Sequence, residues 1–242
     1  MKPEILLPYM PGRQNEDLEK ANARLTESKS YRDLSTVIVT PTRGGRSLCP
    51  RFVQAVSGLM RPMNQQVFGP IYMSGMEVSH AFNSAVEMIQ ANPVLSKFKY
   101  LLTLEDDNLP PPDGLLKLYE SIGEYDCVAG LYWTKGIDHA QPMCYGNPEV
   151  QPLNFVPQSI KQDQLQHCNG LGMGFNLWKM EVFSKLPAPW FETKQSWDPA
   201  TGVKCYTQDL WMFEKMAKAG MKVACDNRVK VGHYDIEGDH VY

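Results

Sequence analysis

Apolar and polar residues follow two different periods along the first half of the chain. Short runs of apolar and β-branched residues predict buried strands, and stretches in which apolar residues recur every three or four positions predict amphipathic helices. The predicted strands cover residues 35–40, 66–72, 100–104 and 126–132. The predicted helices cover residues 50–60, 78–90 and 112–122. Strands and helices that alternate in this way are typical of an α/β fold with a doubly wound, largely parallel sheet.

This alternation lapses after residue 134. Residues 135–168 are rich in proline, glutamine and asparagine and contain only short strand-like pieces, which indicates an irregular insertion beside a cleft. The elements predicted beyond it are a short helix at residues 179–186, a strongly amphipathic helix at 208–220, and strands at 221–225 and 228–232.

Three acidic residues, Glu105, Asp106 and Asp107, follow the predicted strand Tyr100–Leu104. Ligands of open α/β sheets bind in the crevice beyond the carboxyl ends of the strands, so these side chains are expected to face a cleft. A hard divalent cation bridged to phosphate oxygens would relieve their mutual repulsion. The alternative, which the residues alone leave open, is a solvated acidic loop before a proline turn.

Other candidate residues also have two interpretations. The loop Pro41–Arg46 carries glycines, a hydroxyl and two arginines that suit a phosphate or nucleotide, but such residues are also common in turns. Asp209 lies in the first turn of a helix, where a carboxylate also stabilises the helix dipole. His233 follows a strand, as many structural histidines do. The Trp190–Phe191 pair in a proline-bounded loop suits either the core or a platform for a sugar.

Glycines alternate at Gly170, Gly172 and Gly174, within residues 168–178. This spacing is not the G-x-G-x-x-G fingerprint, and it does not follow the first strand, so a dinucleotide-binding fold is rejected. Glycine here instead indicates that the backbone approaches a ligand closely.

Composition excludes several classes of protein. The chain has 242 residues and a net charge of −3, without a basic run, so no nucleic-acid surface is expected. No apolar stretch reaches the roughly 20 residues of a membrane span, and residues 1–8 are too short for a secretory signal, so a soluble cytoplasmic protein is expected. The six cysteines lack metal-site spacing and are interpreted as buried thiols in a reducing compartment.

In order and number, the motifs resemble those of the GT-A glycosyltransferases, in particular the small glycosyltransferase family 2-like proteins of bacteria and phages. The resemblance extends from Val37 to His233. Glu105 and Gln208 stand where the family pattern has aspartate and glutamate, and Phe82 stands where it has arginine. The matching segments are Thr40–Arg43, Glu105–Asp107, Pro111–Leu118, Asp126–Tyr132, Gly170–Trp178, Pro189–Phe191, Gln208–Asp209 and Val231–His233.

The resemblance implies a GT-A fold and a metal-dependent transfer of a sugar from a nucleotide-diphosphate donor. It implies that Mn²⁺ or Mg²⁺ is held by Asp107 and His233, with Glu105 assisting. The residues that it places on the donor or its nucleotide are Thr40, Pro41, Thr42, Arg43, Asn83, Glu105 and Asp106.

On the acceptor side, the resemblance implies that Asp209 is the general base of an inverting reaction with a glycan or other hydroxyl acceptor. It places Gly170, Gly172 and Trp190 near the acceptor or the sugar. The implied organisation is an extension at residues 1–34 and one GT-A-like domain at 35–242, with a nucleotide-binding half at 35–134 and an acceptor half at 135–242. The extension either packs on this domain or serves in assembly, so a homo-oligomer is one expectation.

Two other functions compete with this interpretation. A non-catalytic module that binds a nucleotide sugar or a glycan, or a structural protein, could reuse the same fold. Retention of Asp107, Asp209 and His233 together argues against this alternative. A nucleotidyltransferase would need a lysine-rich loop after the first strand, where this chain has only Arg43 and Arg46.

Overall fold

The computed structural model describes residues 32–44, 47–136, 139–199 and 202–242. The chain divides into two units between Asp33 and Leu34, and the fold described here is that of the unit Leu34–Tyr242. The expected amino-terminal extension lies almost wholly outside the described residues, and so does Arg46.

The described residues form strands β1 to β16 and helices α1 to α5, with a 3₁₀ turn at Leu95–Lys97. The strands are β1 (Thr36–Thr42), β2 (Val67–Ser74), β3 (Tyr100–Leu104), β4 (Asn108–Leu109), β5 (Cys127–Leu131), β6 (Trp133–Thr134), β7 (Gln141–Pro142), β8 (Cys144–Tyr145), β9 (Leu165–Cys168), β10 (Gly170–Leu171), β11 (Phe175–Lys179), β12 (Lys194–Asp198), β13 (Gly202–Tyr206), β14 (Val223–Lys230), β15 (Gly232–Asp235) and β16 (His240–Val241). The helices are α1 (Pro50–Gly58), α2 (Val78–Ala91), α3 (Gly114–Ser121), α4 (Val182–Lys185) and α5 (Gln208–Lys218).

A seven-stranded central sheet organises these elements, with the order β2-β1-β3-β11-β5-β14-β9. Strands β2, β1, β3, β5 and β14 run parallel to one another, and β11 and β9 run against them. The prediction of an α/β fold with a mostly parallel central sheet flanked by helices is confirmed.

Hydrophobic cores lie on both faces of the sheet. Successive residues of a strand point to opposite sides, so neighbouring residues of one strand belong to different cores. In β1, Val37 and Val39 join the cluster that includes residues of α2 and α5, and Ile38 joins the cluster that includes residues of α1 and α3. β3 is completely buried, which is consistent with its composition of four apolar or aromatic residues and one threonine. Four cysteines, at positions 127, 144, 168 and 225, are buried free thiols, as predicted, whereas Cys49 is a free thiol that is only half-buried.

The carboxyl ends of β1 and β3 lie side by side, because their residues pair in parallel from Thr36 and Tyr100 onward. The antiparallel strand β11 begins at the same edge, where Phe175 pairs with Leu104. Beyond this edge β4 pairs with β15, so the carboxyl-terminal part of the chain crosses the end of β3. The topology therefore brings segments from both halves of the chain to one edge.

Some predicted boundaries differ from the observed ones. The two strands predicted at residues 221–225 and 228–232 are one strand, β14, which has an irregular register after Asp226. Helix α3 begins at Gly114 rather than near Pro112, because the Gly114 N–H closes a turn onto the Pro111 carbonyl. Within the described ranges, no helix has the length and apolar character needed to span a bilayer.

Candidate active site

A tight turn after β3 holds the three acidic residues. The Glu105 N–H donates to the Gly174 carbonyl at 3.1 Å, and the Asn108 N–H donates back to the Glu105 carbonyl at 3.1 Å. The Asp107 carbonyl accepts a hydrogen bond from the Tyr234 N–H of β15 at 2.8 Å. The backbone of the acidic turn is therefore fixed from two sides.

Asp107 and His233 face each other across this junction. His233 Nε2 lies 3.6 Å from Asp107 Oδ2, and His233 Nδ1 lies 3.1 Å from the Trp133 carbonyl oxygen. The Asp107 carboxylate raises the pKa of His233. A carbonyl oxygen on one imidazole nitrogen orients the ring and leaves the other nitrogen for a ligand or a proton, as in many metal-binding histidines.

The residues present fit a cation that takes most of its ligands from substrate and water. No group of three His, Cys, Asp or Glu side chains among the described residues is arranged to hold a metal, so Glu105 does not complete a set with Asp107 and His233. Mg²⁺ and related hard cations often use only one or two protein carboxylates and complete their coordination with phosphate oxygens and water. The Asp107–His233 pair suits such an open site.

Two neighbouring pockets meet at Arg43 and Asp107. One has a volume of about 340 Å³ and is lined by Pro41, Thr42, Arg43, Met76, Val78, Glu105, Asp106 and Asp107. The other also measures about 340 Å³ and includes Arg43, Asp107, Lys135, His233 and Tyr242 in its wall. The structure thus brings five of the predicted donor residues to one pocket. Thr40 is fully buried in β1 instead.

Glu105 and Asp106, in the wall of the first pocket, hold protons more tightly than ordinary carboxyl groups. Burial, followed by the Asp107 charge, raises the pKa of Glu105 well above its usual range. Burial and Asp107 also raise the pKa of Asp106, although nearby Arg43 opposes this shift. A cation would relieve this repulsion and favour the ionised forms.

Asp209 lies in the first turn of α5, with only 7% of its surface exposed. Its Oδ1 accepts a hydrogen bond from the Leu210 N–H at 2.9 Å. Burial raises the pKa of Asp209, and the Asp209 charge contributes to the raised pKa of Glu105. The buried carboxylate therefore lies close enough to the acidic turn to affect it electrostatically.

Asn83 was predicted to contact the donor, but it is not in the wall of either pocket. Its Oδ1 accepts hydrogen bonds from the N–H groups of Trp190 and Phe191 at 2.9 and 3.2 Å. Its Nδ2 donates to the Phe191 carbonyl at 2.7 Å. The amide fastens the loop before β12 onto α2, so its role is structural.

Trp190 is not available to stack on a sugar, because only 5% of its surface is exposed. Its Nε1 donates to the carbonyls of Phe183 and Leu186, each at 3.0 Å. Neighbouring Phe191 packs against Phe82, with ring centroids 5.3 Å apart. Phe82 is the residue that stands where the family pattern has an arginine. The aromatic pair belongs to the core.

The predicted acceptor glycines are buried and serve packing. A side chain at Gly170 would collide with the Phe155 ring, and one at Gly172 would collide with the Tyr132 hydroxyl and Met143. Protein side chains therefore occupy the space in which a ligand was expected to approach these two residues.

Sequence reasoning missed two tyrosines near the buried acids. The Tyr132 hydroxyl accepts a hydrogen bond from the Gly174 N–H at 3.3 Å, and burial with the charges of Glu105 and Asp209 raises the pKa of Tyr132. Burial and the Asp209 charge raise the pKa of Tyr145 to about 12. Tyr132 ends the predicted strand at 126–132, but nothing in the sequence indicates that Tyr145 lies near Asp209.

The sheet order, the acidic turn at its carboxyl edge and the flanking helices define a GT-A-like fold. A197 from STIV has this fold, with 18% identity, a TM-score of 0.58, and coverage of 86% of this chain and 92% of that chain. GalNAc-T7, solved with UDP, GalNAc and Mn²⁺, matches with 14% identity and a TM-score of 0.54 over 86% of this chain. The match covers 45% of the GalNAc-T7 chain. No protein-family model and no curated protein sequence matches this chain.

Proposed function

We propose that this protein is a metal-dependent glycosyltransferase that moves a sugar from a nucleotide-diphosphate donor to an acceptor hydroxyl, with inversion. The observation that carries the proposal is the 3.6 Å approach of His233 to Asp107 at the point where the two pockets meet. The GT-A-like fold and the UDP and Mn²⁺ bound by GalNAc-T7 support it as an analogy of fold.

The donor would lie along the two pockets. In the proposal the nucleoside occupies the pocket with Pro41, Thr42 and Asp106, and Arg43 attracts the diphosphate from the shared wall. Mn²⁺ or Mg²⁺ held by Asp107 and His233 would neutralise charge that develops on the diphosphate leaving group. Glu105 would contribute negative charge beside this site rather than a third protein ligand.

Asp209 is the proposed general base. Its burial raises the pKa of the carboxyl group toward the range in which it can accept a proton from an acceptor hydroxyl. The acceptor oxygen would attack the anomeric carbon as the proton passes to Asp209, which gives inversion. In this proposal residues 35–134 form the nucleoside pocket, and residues 135–242 supply Asp209 for the acceptor as well as His233 for the metal.

Calorimetric titration tests the donor site. The protein is titrated with a panel of nucleoside diphosphates with and without Mn²⁺, and the titrations are repeated on Asp107→Ala. We expect metal-dependent binding of one nucleotide that is lost in this variant. Asp113→Ala is the matched control, because Asp113 is also acidic and lies six residues further along the chain, but pairs with Lys117 at 2.7 Å and is not in the wall of either pocket. No binding of any nucleotide in the presence of metal would refute the donor-site assignment.

A non-catalytic nucleotide-sugar-binding module is the second candidate. The burial of Trp190 and the packed surroundings of Gly170 and Gly172 favour it, because they remove predicted contacts on the acceptor side. Incubation with the nucleotide sugars that match the bound nucleotide separates the two candidates. Release of nucleoside diphosphate, abolished in Asp209→Asn, supports the transferase. Tight binding without release supports the module.

A further inference from the structure

Asn108 connects the two residues proposed to hold the metal. Its backbone pairs with His233 where β4 meets β15. Its side-chain Nδ2 donates to Asp107 Oδ1 at 2.9 Å. Asp107 thus has one oxygen engaged by Asn108, and its other oxygen, Oδ2, faces His233.

The buried amide of Asn108 lowers the stability of the fold. The side chain is fully buried, and its Oδ1 has no hydrogen-bond partner among the described residues. A buried carbonyl oxygen without a partner lowers stability, and such groups in native proteins call for an explanation. A leucine of similar shape would remove this unsatisfied oxygen, so fold stability alone does not account for asparagine at this position.

The neighbouring chain makes room for this amide. A β-carbon at Gly174 would collide with the Asn108 side chain, so the glycine lets the backbone before β11 pass close to it. The Gly174 carbonyl also accepts the Glu105 N–H at 3.1 Å. The acidic turn and the glycine segment therefore enclose the Asn108 amide between them.

We infer that Asn108 is a positioning residue that orients the Asp107 carboxylate for the metal. It occupies Oδ1 as a hydrogen-bond acceptor and presents Oδ2 as a single-oxygen ligand beside His233. Phosphate oxygens and water would then supply the other ligands of the cation. The inference rests on the proposed function, because it assumes that Asp107 and His233 bind a divalent cation.

The test measures Mn²⁺ binding by electron paramagnetic resonance, with UDP or whichever nucleoside diphosphate binds the wild-type protein. Asn108→Leu keeps the approximate shape and removes the donor. We expect roughly 10- to 100-fold weaker Mn²⁺ binding, the usual loss for a residue that orients a metal ligand. We also expect an unchanged or higher thermal midpoint, because the unsatisfied oxygen is gone. If Asn108→Leu does not fold, Asn108→Ala gives the same comparison.

Asn227→Leu is the matched control. Asn227 is also buried and its Oδ1 also has no partner among the described residues. Its Nδ2, however, donates to the carbonyl of Lys161, in the segment before β9, and to Oε1 of Gln166, the second residue of β9. This variant is expected to lose stability and to keep its Mn²⁺ affinity. Unchanged Mn²⁺ affinity in folded Asn108→Leu, while the wild-type protein binds Mn²⁺, overturns the inference and leaves the proposed function intact. Absence of Mn²⁺ binding in the wild-type protein overturns both.

Discussion

At the scale of single residues, burial gives Asp209 a proton affinity unlike that of a surface aspartate. The side chain is 7% exposed at the start of a helix, and the hydrogen bond from Leu210 only partly offsets the cost of burying its charge. A carboxylate in the first turn of a helix normally has a lowered pKa. A raised pKa is what the proposed general base requires, and it is the opposite of the shift that a purely capping aspartate shows.

Replacement of Asp209 by asparagine is expected to lower the rate of sugar transfer by roughly 10²- to 10⁴-fold, the usual contribution of a general base. Nucleotide binding is expected to stay within about twofold, because Asp209 is not in the wall of the donor pocket. Steady-state kinetics and calorimetry measure the two quantities. Glu181→Gln, a change to an exposed carboxylate, should leave both unchanged. Equal losses of binding and rate would contradict the assignment.

The carboxyl group of Asp209 also determines how the rate of sugar transfer is expected to depend on pH. The base must be unprotonated, so activity is expected to fall as the pH decreases through the raised pKa of Asp209. The acid limb of the profile of kcat/KM should therefore lie above about 3.9, the value of an ordinary aspartate. The measurement is kcat/KM across the acid range with saturating metal. A limb at or below the ordinary aspartate value would exclude Asp209 as the base.

Asn83 illustrates a residue whose importance lies in structure. Asn83→Leu removes three hydrogen bonds to the backbone of Trp190 and Phe191 and is expected to lower the free energy of unfolding by about 2 to 4 kcal/mol. Glu87→Ala, an exposed change on the same helix, should alter it by less than about 0.5 kcal/mol. Urea denaturation measures both. If Asn83→Leu matched the control, the three contacts would contribute little to stability.

At the scale of elements, regular apolar patterns predicted the five helices of the described residues and five of the seven strands of the central sheet, but not the antiparallel strands β11 and β9. Polar residues inside β14 concealed its length. Asp226 and Asn227 interrupt the apolar run, so two short strands were predicted, at residues 221–225 and 228–232. The structure keeps the strand continuous because Ser121 of α3 and Arg228 bond to Asp226. A polar residue in a strand is identified as buried only when its partner is known, and here one partner is far away in the sequence.

The Asp226–Arg228 pair predicts a specific effect on stability. Asp226 is fully buried and Arg228 Nη2 lies 2.8 Å from its Oδ2, so Arg228→Ala is expected to destabilise the protein by about 3 kcal/mol at neutral pH. Burial alone would raise the pKa of Asp226, but hydrogen bonds from Arg228 and Ser121 outweigh burial and lower it. This stabilisation is therefore complete above about pH 4 and is lost as the pH falls through the lowered pKa.

Chemical denaturation of Arg228→Ala and wild type between neutral and acidic pH checks this prediction. The difference between them should shrink as the pH falls. Lys230→Ala is the control on the same strand, because Lys230 pairs with Asp163 on the surface and such exposed pairs contribute little. A difference that stayed constant down to acidic pH would show that the charge of Asp226 is not involved.

At the scale of the whole molecule, the candidate site has polar residues that sequence motifs could indicate and packed residues whose surroundings they could not. Asp107 and His233 were identified from motif order, and the fold brings them together from distant parts of the chain. The family resemblance placed Trp190 and Gly172 near the acceptor or the sugar. Their actual contacts come from residues elsewhere in the chain, such as Tyr132 beside Gly172, which no local pattern reveals.

Ligand binding should stabilise the whole domain. At a concentration of nucleoside diphosphate 100 times its Kd, with Mn²⁺ present, linkage adds about 2.7 kcal/mol. For a domain of this size, this corresponds to a rise in Tm of roughly 5 to 10 °C. Differential scanning calorimetry should detect the rise in wild type but not in Asp107→Ala. An equal rise with the corresponding monophosphate would show that the diphosphate is not recognised through the metal.

The position of β11 affects how the protein folds during synthesis. This strand is hydrogen-bonded between β3 and β5, although both of those strands precede the whole of residues 135–168 in the chain. A nascent chain that has released only the first five strands lacks the neighbour that joins them. The central sheet is therefore expected to assemble late, when the carboxyl-terminal half has left the ribosome, and until then β3 and β5 have edges that chaperones or other chains can bind.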